Sequence, residues 1–327
     1  MLEKNLAAAH REVVSYDFEI DERLSAFIIR KEQSRDSAQL KKFSAKTNKQ
    51  KSIIWINNPQ YRFDLVPVQV YNKLFLRNIP IFISSCSQEL APFFKKNKFE
   101  VIKTGQEAVL HLDKNHFEKK SLKELIRAGL KRGRIEEIFY SDENYKRLEL
   151  FKLECIHGKE PQLKYFFNDR FLPVSRLFVY KDEQNTWAGA MLISPKGYGN
   201  VITDLILRKK DSPRGSMEAL VYYIVELLKS EGSKTWSLGE VPYVVYGSEL
   251  FSKEFFINFT GRKLRYAYNY LGLYNFKNKF NPEWKDIYIC CKPKLNLITI
   301  LKVSWLSNLA KLVFKKSLLY FENIFRD

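Results

Sequence analysis

The sequence predicts an α/β chain with mixed (α+β) sheets, organised in two units. Three observations predict it. Short runs rich in Ile, Val and Phe are bounded by Asn, Pro or Ser, helical periodicities of ten or more residues lie between them, and 327 residues exceed one average domain. Hydrophobic residues make up 45% of the chain and aromatics 15%, enough to fill a substantial core and to exclude global disorder.

Taken in order, Phe18 to Arg30 predicts a short helix, and the polar stretch from Gln33 to Lys51 a loop or poorly packed helix. Ser52 to Ile56 and Ile79 to Ser84 read as strands. The segment SQELAPFFKKNKF, with a polar start at Ser87 and a proline near its beginning, reads as a short helix. Glu107 to Leu112 alternates as EAVLHL and suits a strand. Between the halves, KKSLKELIRAGLKRGRIEEI placed on one helix aligns Leu122, Leu125, Ile126 and Leu130 as an apolar stripe. Lys123, Arg127, Lys131 and Arg134 recur along the other side at three- and four-residue steps, either as a solvated face or as a surface for a polyanion such as an RNA backbone.

The second half opens with a helix over Tyr145 to His157, followed by strands at Arg176 to Tyr180, Trp187 to Ile193 and Asn200 to Leu207. A helix of about four turns spans Ser216 to Ser230, then come a strand at Lys234 to Leu238, a helical segment around Leu250 to Phe259 and a strand at Asp286 to Cys290. Three strands, a long helix, a strand, a helix and a final strand follow the order of an acyltransferase fold of the acetyltransferase type. Leu301 to Phe325 predicts one amphipathic helix with Trp305, Leu309, Leu312, Val313, Leu319, Tyr320 and Ile324 on its apolar face. Such a helix either docks on the body of the protein or rests on an anionic membrane surface.

Charge points to the class of partner. Lys and Arg number 55 against 37 Asp and Glu, a net +18, which attracts nucleic acid or anionic lipid unless it reflects only lysine-rich composition. Cys86, Cys155, Cys290 and Cys291 have neither zinc-ribbon nor disulfide-framework spacing, and His10, His111, His116 and His157 form no metal-binding motif, so reduced thiols and no metal are expected. The start MLEKNLAAAHREVV lacks the apolar core of a signal peptide, and no stretch reaches bilayer-spanning length. A cytoplasmic location is expected, with peripheral contact to the inner membrane surface.

Two blocks then carry a resemblance. SPRGSMEALVYYIVELLKSEGSKTWSLGEVP and LGLYNFKNKFNPEWKDIYI contain Pro213, Gly215, Met217 and Glu218, then Leu238, Gly239 and Pro242, then Phe276, Lys277, Lys279, Phe280, Pro282 and Trp284. This pattern resembles the soluble C-terminal domain of phosphatidylglycerol lysyltransferases, the aminoacyl-phosphatidylglycerol synthases, and GQEAVLHL with the basic helix after it is similar too. The likeness runs from about Gly105 onward. It implies tandem acetyltransferase-like units over residues 1–140 and 141–300, with 301–327 as the amphipathic helix, in a member standing without the multi-helix membrane portion. It further implies transfer of an aminoacyl group from aminoacyl-tRNA to a hydroxyl of an anionic lipid, with no cofactor beyond that donor.

The residues suited to this chemistry are few. Gly215 and Ser216 begin the long helix, where exposed N–H groups would hold a phosphate, although Ser216 also suits a plain helix cap. Arg208 and Arg214 flank that start, beside Lys209 and Lys210, and would neutralise the phosphates of an RNA 3′ end. Asp204 is an acid inside the apolar strand VITDLIL, so it either faces a cleft or pairs with a base. Glu218 in the first helical turn and Glu240 after Leu238-Gly239 are candidates for gripping the amine of the aminoacyl group. Asp204 or Glu240 would accept the nucleophile's proton, while Lys277, Lys279 or backbone N–H groups would stabilise the oxyanion or a neighbouring phosphate. The carboxylates of Asp204 and Glu218 are then expected to line one cleft with the Lys279 amine. Tyr243 and Tyr246 either line the acceptor site and stack on the terminal adenine or belong to the core. Two other readings stay open: an acyl-CoA-dependent transferase, although the repeated-glycine pyrophosphate loop is missing, and a non-catalytic nucleic-acid or membrane-binding protein.

Overall fold

The computed structural model describes residues 26–28, 53–57, 80–164, 166, 170–196, 199–244 and 253–324. Strands β1 (Ala26–Ile28), β2 (Ile53–Asn57) and β3 (Ile81–Ser87) run parallel. A short helix α1 (Ala91–Lys96), with Pro92 in its first turn where a missing N–H is harmless, leads into the long strand β4 (Glu100–His111). Helix α2 (Lys120–Lys131) passes directly into β5 (Gly133–Ile138). Helix α3 (Asp142–Glu154) is capped by the Ser141 hydroxyl, which accepts from the Asn144 N–H. The antiparallel meander β6 (Arg176–Asp182), β7 (Trp187–Pro195) and β8 (Asn200–Arg208) follows.

Helix α4 (Ser216–Ser230) returns the chain to β9 (Thr235–Pro242), parallel to β8. Helices α5 (Lys253–Lys263) and α6 (Tyr270–Asn278), strand β10 (Glu283–Lys292) and helices α7 (Leu297–Leu306) and α8 (Leu309–Ile324) complete the order.

Among the described residues ten strands join one sheet in the order β1-β2-β3-β10-β4-β9-β8-β7-β6-β5, which therefore takes strands from both sides of residue 140. On one face α2 and α4 bury Leu122, Ile126, Leu220, Ile224 and Leu228 against Met191, Ile193, Trp236 and Leu238. On the other, α3 sets Leu148 and Phe151 on Leu177, Val179, Trp187 and Leu192. Each such aliphatic or aromatic side chain contributes about 1.5–3 kcal/mol by leaving water, so α4, buried over its first six residues and again at Ile224, Val225 and Leu228, is the spine of the second half.

Several expectations are corrected. Ala26–Ile28, expected within a helix, is a strand, while the rest of the segment 18–30 and the polar stretch 33–51 lie outside the described residues. The basic helix ends at Lys131, and GRIEEI is β5 because its residues pair with β6 from Gly133↔Asp182 to Ile138↔Leu177. Arg134 thus leaves the helical stripe; its guanidinium bonds Glu136 and Asn185. The buried row of α2 is Leu122, Ile126 and Gly129, whereas Leu130 is 44% exposed. The C-terminal segment is two helices, bent by 78° at Ser307–Asn308, where Asn308 takes a positive φ of 61°. Among the described residues no single helix is long and apolar enough to cross a membrane.

Candidate active site

Strands β8 and β9 hold the key to the site. They pair only from Asn200↔Thr235 to Ile202↔Ser237, at their beginnings, and beyond Thr203 and Leu238 no pairing joins them. Chemistry collects beside this parting. On β9 the side chains of Trp236 and Leu238 enter the core under α4, so Ser237 points to the opposite face. Strict alternation would then turn Glu240 into the core. It does not, because the register with β4 shifts between Glu107 and Val109, and Gly239 absorbs the extra residue with φ 87°. Glu240 is thereby set opposite Glu107 and shares its face with Ser237.

The result is a buried polar cluster. Glu107, 7% exposed, accepts from Lys196 Nζ at 2.6 Å and from Ser237 Oγ at 2.6 Å through one carboxylate oxygen. Ser237 Oγ in turn accepts the Gly239 N–H at 3.0 Å. From α6, Lys277 reaches the bare backbone at Gly239 and donates to the Glu240 carbonyl at 2.9 Å; a methyl group on Gly239 would stand 3.4 Å from that amine. Lys277 is 2% exposed. Burial pulls its amine down to about 7, opposed by the attraction of Glu240 and Glu107. Burial pushes the Glu240 carboxyl up to about 7, against the hydrogen bond from Ser85 and with the Glu107 charge adding to the rise. Tyr268, facing Glu240 and Tyr243, is pushed up chiefly by burial as well. An acid and an amine that both titrate near neutrality hold about one proton between them, the condition for giving and taking protons at pH 7.

A second pair lies at the start of α4. Lys279 Nζ meets Glu218 Oε1 at 2.7 Å, and the Glu218 side chain is 9% exposed. The lysine also lines a pocket of about 190 Å³ with Lys119, Ser121, Leu122, Leu125, Asn275 and Asn278. Beside it the exposed side chains of Lys123, Arg127 and Lys131 give α2 a positive outer face. Lys277 and Lys279, two residues apart at the end of α6, thus take different partners: the backbone carbonyl of Glu240 in the interior and the Glu218 carboxylate beside the pocket.

The remaining sequence candidates are placed as follows. Asp204 does not join Glu218 and Lys279. It sits at a register shift of β8 and accepts a hydrogen bond from Ser194, which points away from α4 because its neighbour Ile193 packs beneath that helix. The amino end of α4 is closed, contrary to its expected role as an open phosphate cradle. Gly215 and Ser216 are buried, and a side chain on Gly215 would collide with the Leu125 carbonyl, since the backbone of α2 packs directly on this turn. The Ser216 N–H is spent on the Pro213 carbonyl. Arg208 and Arg214 are exposed around that closed end, and Lys277, expected at a phosphate, is interior. Tyr243 is a packing residue rather than a stacking platform: its ring lies on Gly261 and edge-on to Tyr270 at 6.0 Å. Tyr246 lies outside the described residues.

Sequence reasoning missed Glu107, Lys196, Ser237, Ser85 and Tyr268. The signal for Glu107 was present, since it is an acid inside the strand run EAVLHL, the same oddity that singles out Asp204.

Residues 72–291 match the family described as phosphatidylglycerol lysyltransferase, C-terminal. A phosphatidylglycerol lysyltransferase of Bacillus subtilis (strain 168) is 24% identical over 248 residues, 72% of this chain and 29% of that protein. Another from Staphylococcus xylosus is 29% identical over 149 residues, 42% of this chain and 17% of that protein. The chain therefore spans less than a third of the length of these curated relatives. Among solved structures, L-PGS from Bacillus licheniformis matches with a TM-score of 0.63 at 20% identity, covering 79% of this chain and 82% of that one. The C-terminal domain of a putative lysylphosphatidylglycerol synthetase from Agrobacterium fabrum matches with a TM-score of 0.53 at 18% identity, covering 69% and 71%. The mixed α/β fold is common to all three structures.

Proposed function

The chain belongs to the phosphatidylglycerol lysyltransferase C-terminal family, and from that premise we propose that it transfers an aminoacyl group from aminoacyl-tRNA to a hydroxyl of an anionic lipid. The observation that carries the proposal is the cluster of half-buried Glu240 with buried Lys277 and Glu107 beside the parting of β8 and β9. We read the meander β6 to β8, the helix α4 and the splayed strand β9 as one acetyltransferase-like unit, with residues 1–140 contributing a second.

In this reading the lipid hydroxyl gives its proton to Glu240 as its oxygen attacks the acyl carbon of the aminoacyl ester. The tetrahedral oxyanion is held by the Lys277 ammonium, whose field is strong because the site excludes water. Collapse breaks the acyl–oxygen bond to the tRNA ribose, and the proton on Glu240 passes to the leaving ribose hydroxyl. One ester forms as one breaks, and no oxidant, metal or covalent enzyme intermediate is required. Glu107, fixed by Lys196 and Ser237, keeps the pair's electrostatics in place. The positive face of α2 and the pocket at Lys279 form the approach for the tRNA backbone.

The closed amino end of α4 argues against the acyl-CoA alternative, because a pyrophosphate would need the N–H groups that α2 covers. The test is to incubate the protein with a mixture of charged tRNAs and vesicles containing phosphatidylglycerol, then search the lipid extract by mass spectrometry. Aminoacylated lipid is the expected product. Product only when acyl-CoA replaces the RNA would sink the reading, as would no product with any donor.

A further inference from the structure

We infer that the α7–α8 elbow is a preformed docking surface for an anionic phospholipid bilayer, an inference that rests on the lipid-acceptor reading. It lies past residue 291, where the family match ends. The surface is apolar and unusually exposed: Leu297 is 69% exposed, Leu301 60%, Trp305 66% and Phe314 65%. On α7 the residues Leu297, Ile298, Leu301 and Trp305 share one face, while Val303 on another side packs with Phe82, Ile102, Cys291 and Leu295.

The elbow is clamped to the body by polar contacts, so its apolar face is held outward. The buried Ser307 accepts the Lys164 N–H at 3.0 Å through its carbonyl, and the Asn308 amide donates to the Gln162 carbonyl at 3.0 Å. Lys316 pairs with Glu160 at 2.5 Å, and Tyr266 bonds Ser317 at 2.8 Å. The 78° bend at this clamp divides the segment into two short helices, neither of which is long enough by itself to cross a membrane.

Charge selects the occupant. From Lys292 to Tyr320 the sequence has six lysines and no Asp or Glu. Lys294, Lys311 and Lys315 are exposed, and Lys311 Nζ stands 5.9 Å from the Trp305 ring. A second copy of this +18 chain would bring two lysine-rich surfaces together, whereas an anionic bilayer attracts the exposed lysines while taking up Leu297, Leu301 and Trp305.

The test is co-sedimentation of the full chain, without tRNA, with phosphatidylcholine vesicles that contain or lack about a third phosphatidylglycerol. The wild type should sediment with the anionic vesicles, and the double variant Leu301→Glu/Trp305→Glu should lose at least about tenfold in partitioning with an unchanged thermal melt. As an independent readout, Leu297→Cys carrying an environment-sensitive fluorophore should shift to the blue on adding anionic vesicles. Equal partitioning of wild type and double variant, or a label that stays in water, overturns the inference. So does a solution dimer that the double variant dissolves, because a second copy would then cover the face. Transfer measured on detergent-dispersed lipid keeps the two readings separate: activity there without vesicle binding removes the docking surface and leaves the catalytic proposal standing.

Discussion

Replacing Glu240 with glutamine makes the protein more stable while disabling it. The ordinary carboxyl value of 4.5 is raised to about 7 at this position, mainly because burial penalises the charge. The folded state therefore holds a proton that the unfolded chain has already released, and stability falls as pH climbs from 4.5 through about 7. Above that window the folded protein carries a half-buried carboxylate at a penalty of up to about 3 kcal/mol, taking about 1.4 kcal/mol per pH unit. Glutamine imitates the protonated acid at every pH. Glu240→Gln should gain about 1 kcal/mol at pH 5 and about 3 kcal/mol at pH 8. For a chain of this size the latter is a rise of roughly 4–5 °C in Tm. Thermal melts of both proteins from pH 5 to pH 8 measure the difference directly. A stability gap that does not widen with pH would refute the claim that this carboxyl is held in a site hostile to its charge.

Four further outcomes follow from the same geometry. Lys279→Met strands the Glu218 carboxylate and should cost about 2 kcal/mol, below the value for a fully buried pair because the lysine side chain is 41% exposed; adding Glu218→Gln should restore most of it in chemical denaturation. Gly239→Ala forces a side chain into a φ of 87° beside the Lys277 amine, so a loss of about 1–2 kcal/mol in denaturant melts should accompany a lower transfer rate. Converting Lys123, Arg127 and Lys131 to alanine should weaken tRNA binding and flatten its logarithmic salt dependence by roughly 2–3, read by filter binding across salt concentrations. Arg134→Ala should leave that slope unchanged, since its guanidinium is engaged by Glu136 and Asn185 on the sheet edge.

What was legible in the sequence divides along the range of the interactions involved. Helix α4 is read to the residue, Ser216 to Ser230, because small residues start it and one local apolar period runs its length. Strand β5 was hidden because GRIEEI continues the charged texture of the preceding helix, and only pairing with β6 makes it a strand. Glu218 and Lys279, expected at one cleft with Asp204, meet at 2.7 Å, a contact between residues 61 apart in the chain that nothing local in either segment fixes. Lys277 shows the limit most clearly. A lysine near a helix end is by default a surface cation, and its burial here depends on the shifted register at Gly239 and on Glu107, contributed by a strand 170 residues earlier in the chain. Open exposure of the α4 amino end was also a reasonable local reading; α2, packing across it from outside the motif, reverses it.

The most direct test of the catalytic claim is the rate of aminoacyl transfer to phosphatidylglycerol under single-turnover conditions, followed from pH 5 to pH 9. With Glu240 and Lys277 both near 7, the rate should peak close to neutrality. It should fall on the acid side as Glu240 takes up its proton, and on the alkaline side as Lys277 loses its charge. Glu240→Gln should abolish the acid limb and lower the maximum by at least about a hundredfold. A variant that retains the wild-type rate and the wild-type acid limb would show that Glu240 and Lys277 take no part in the transfer.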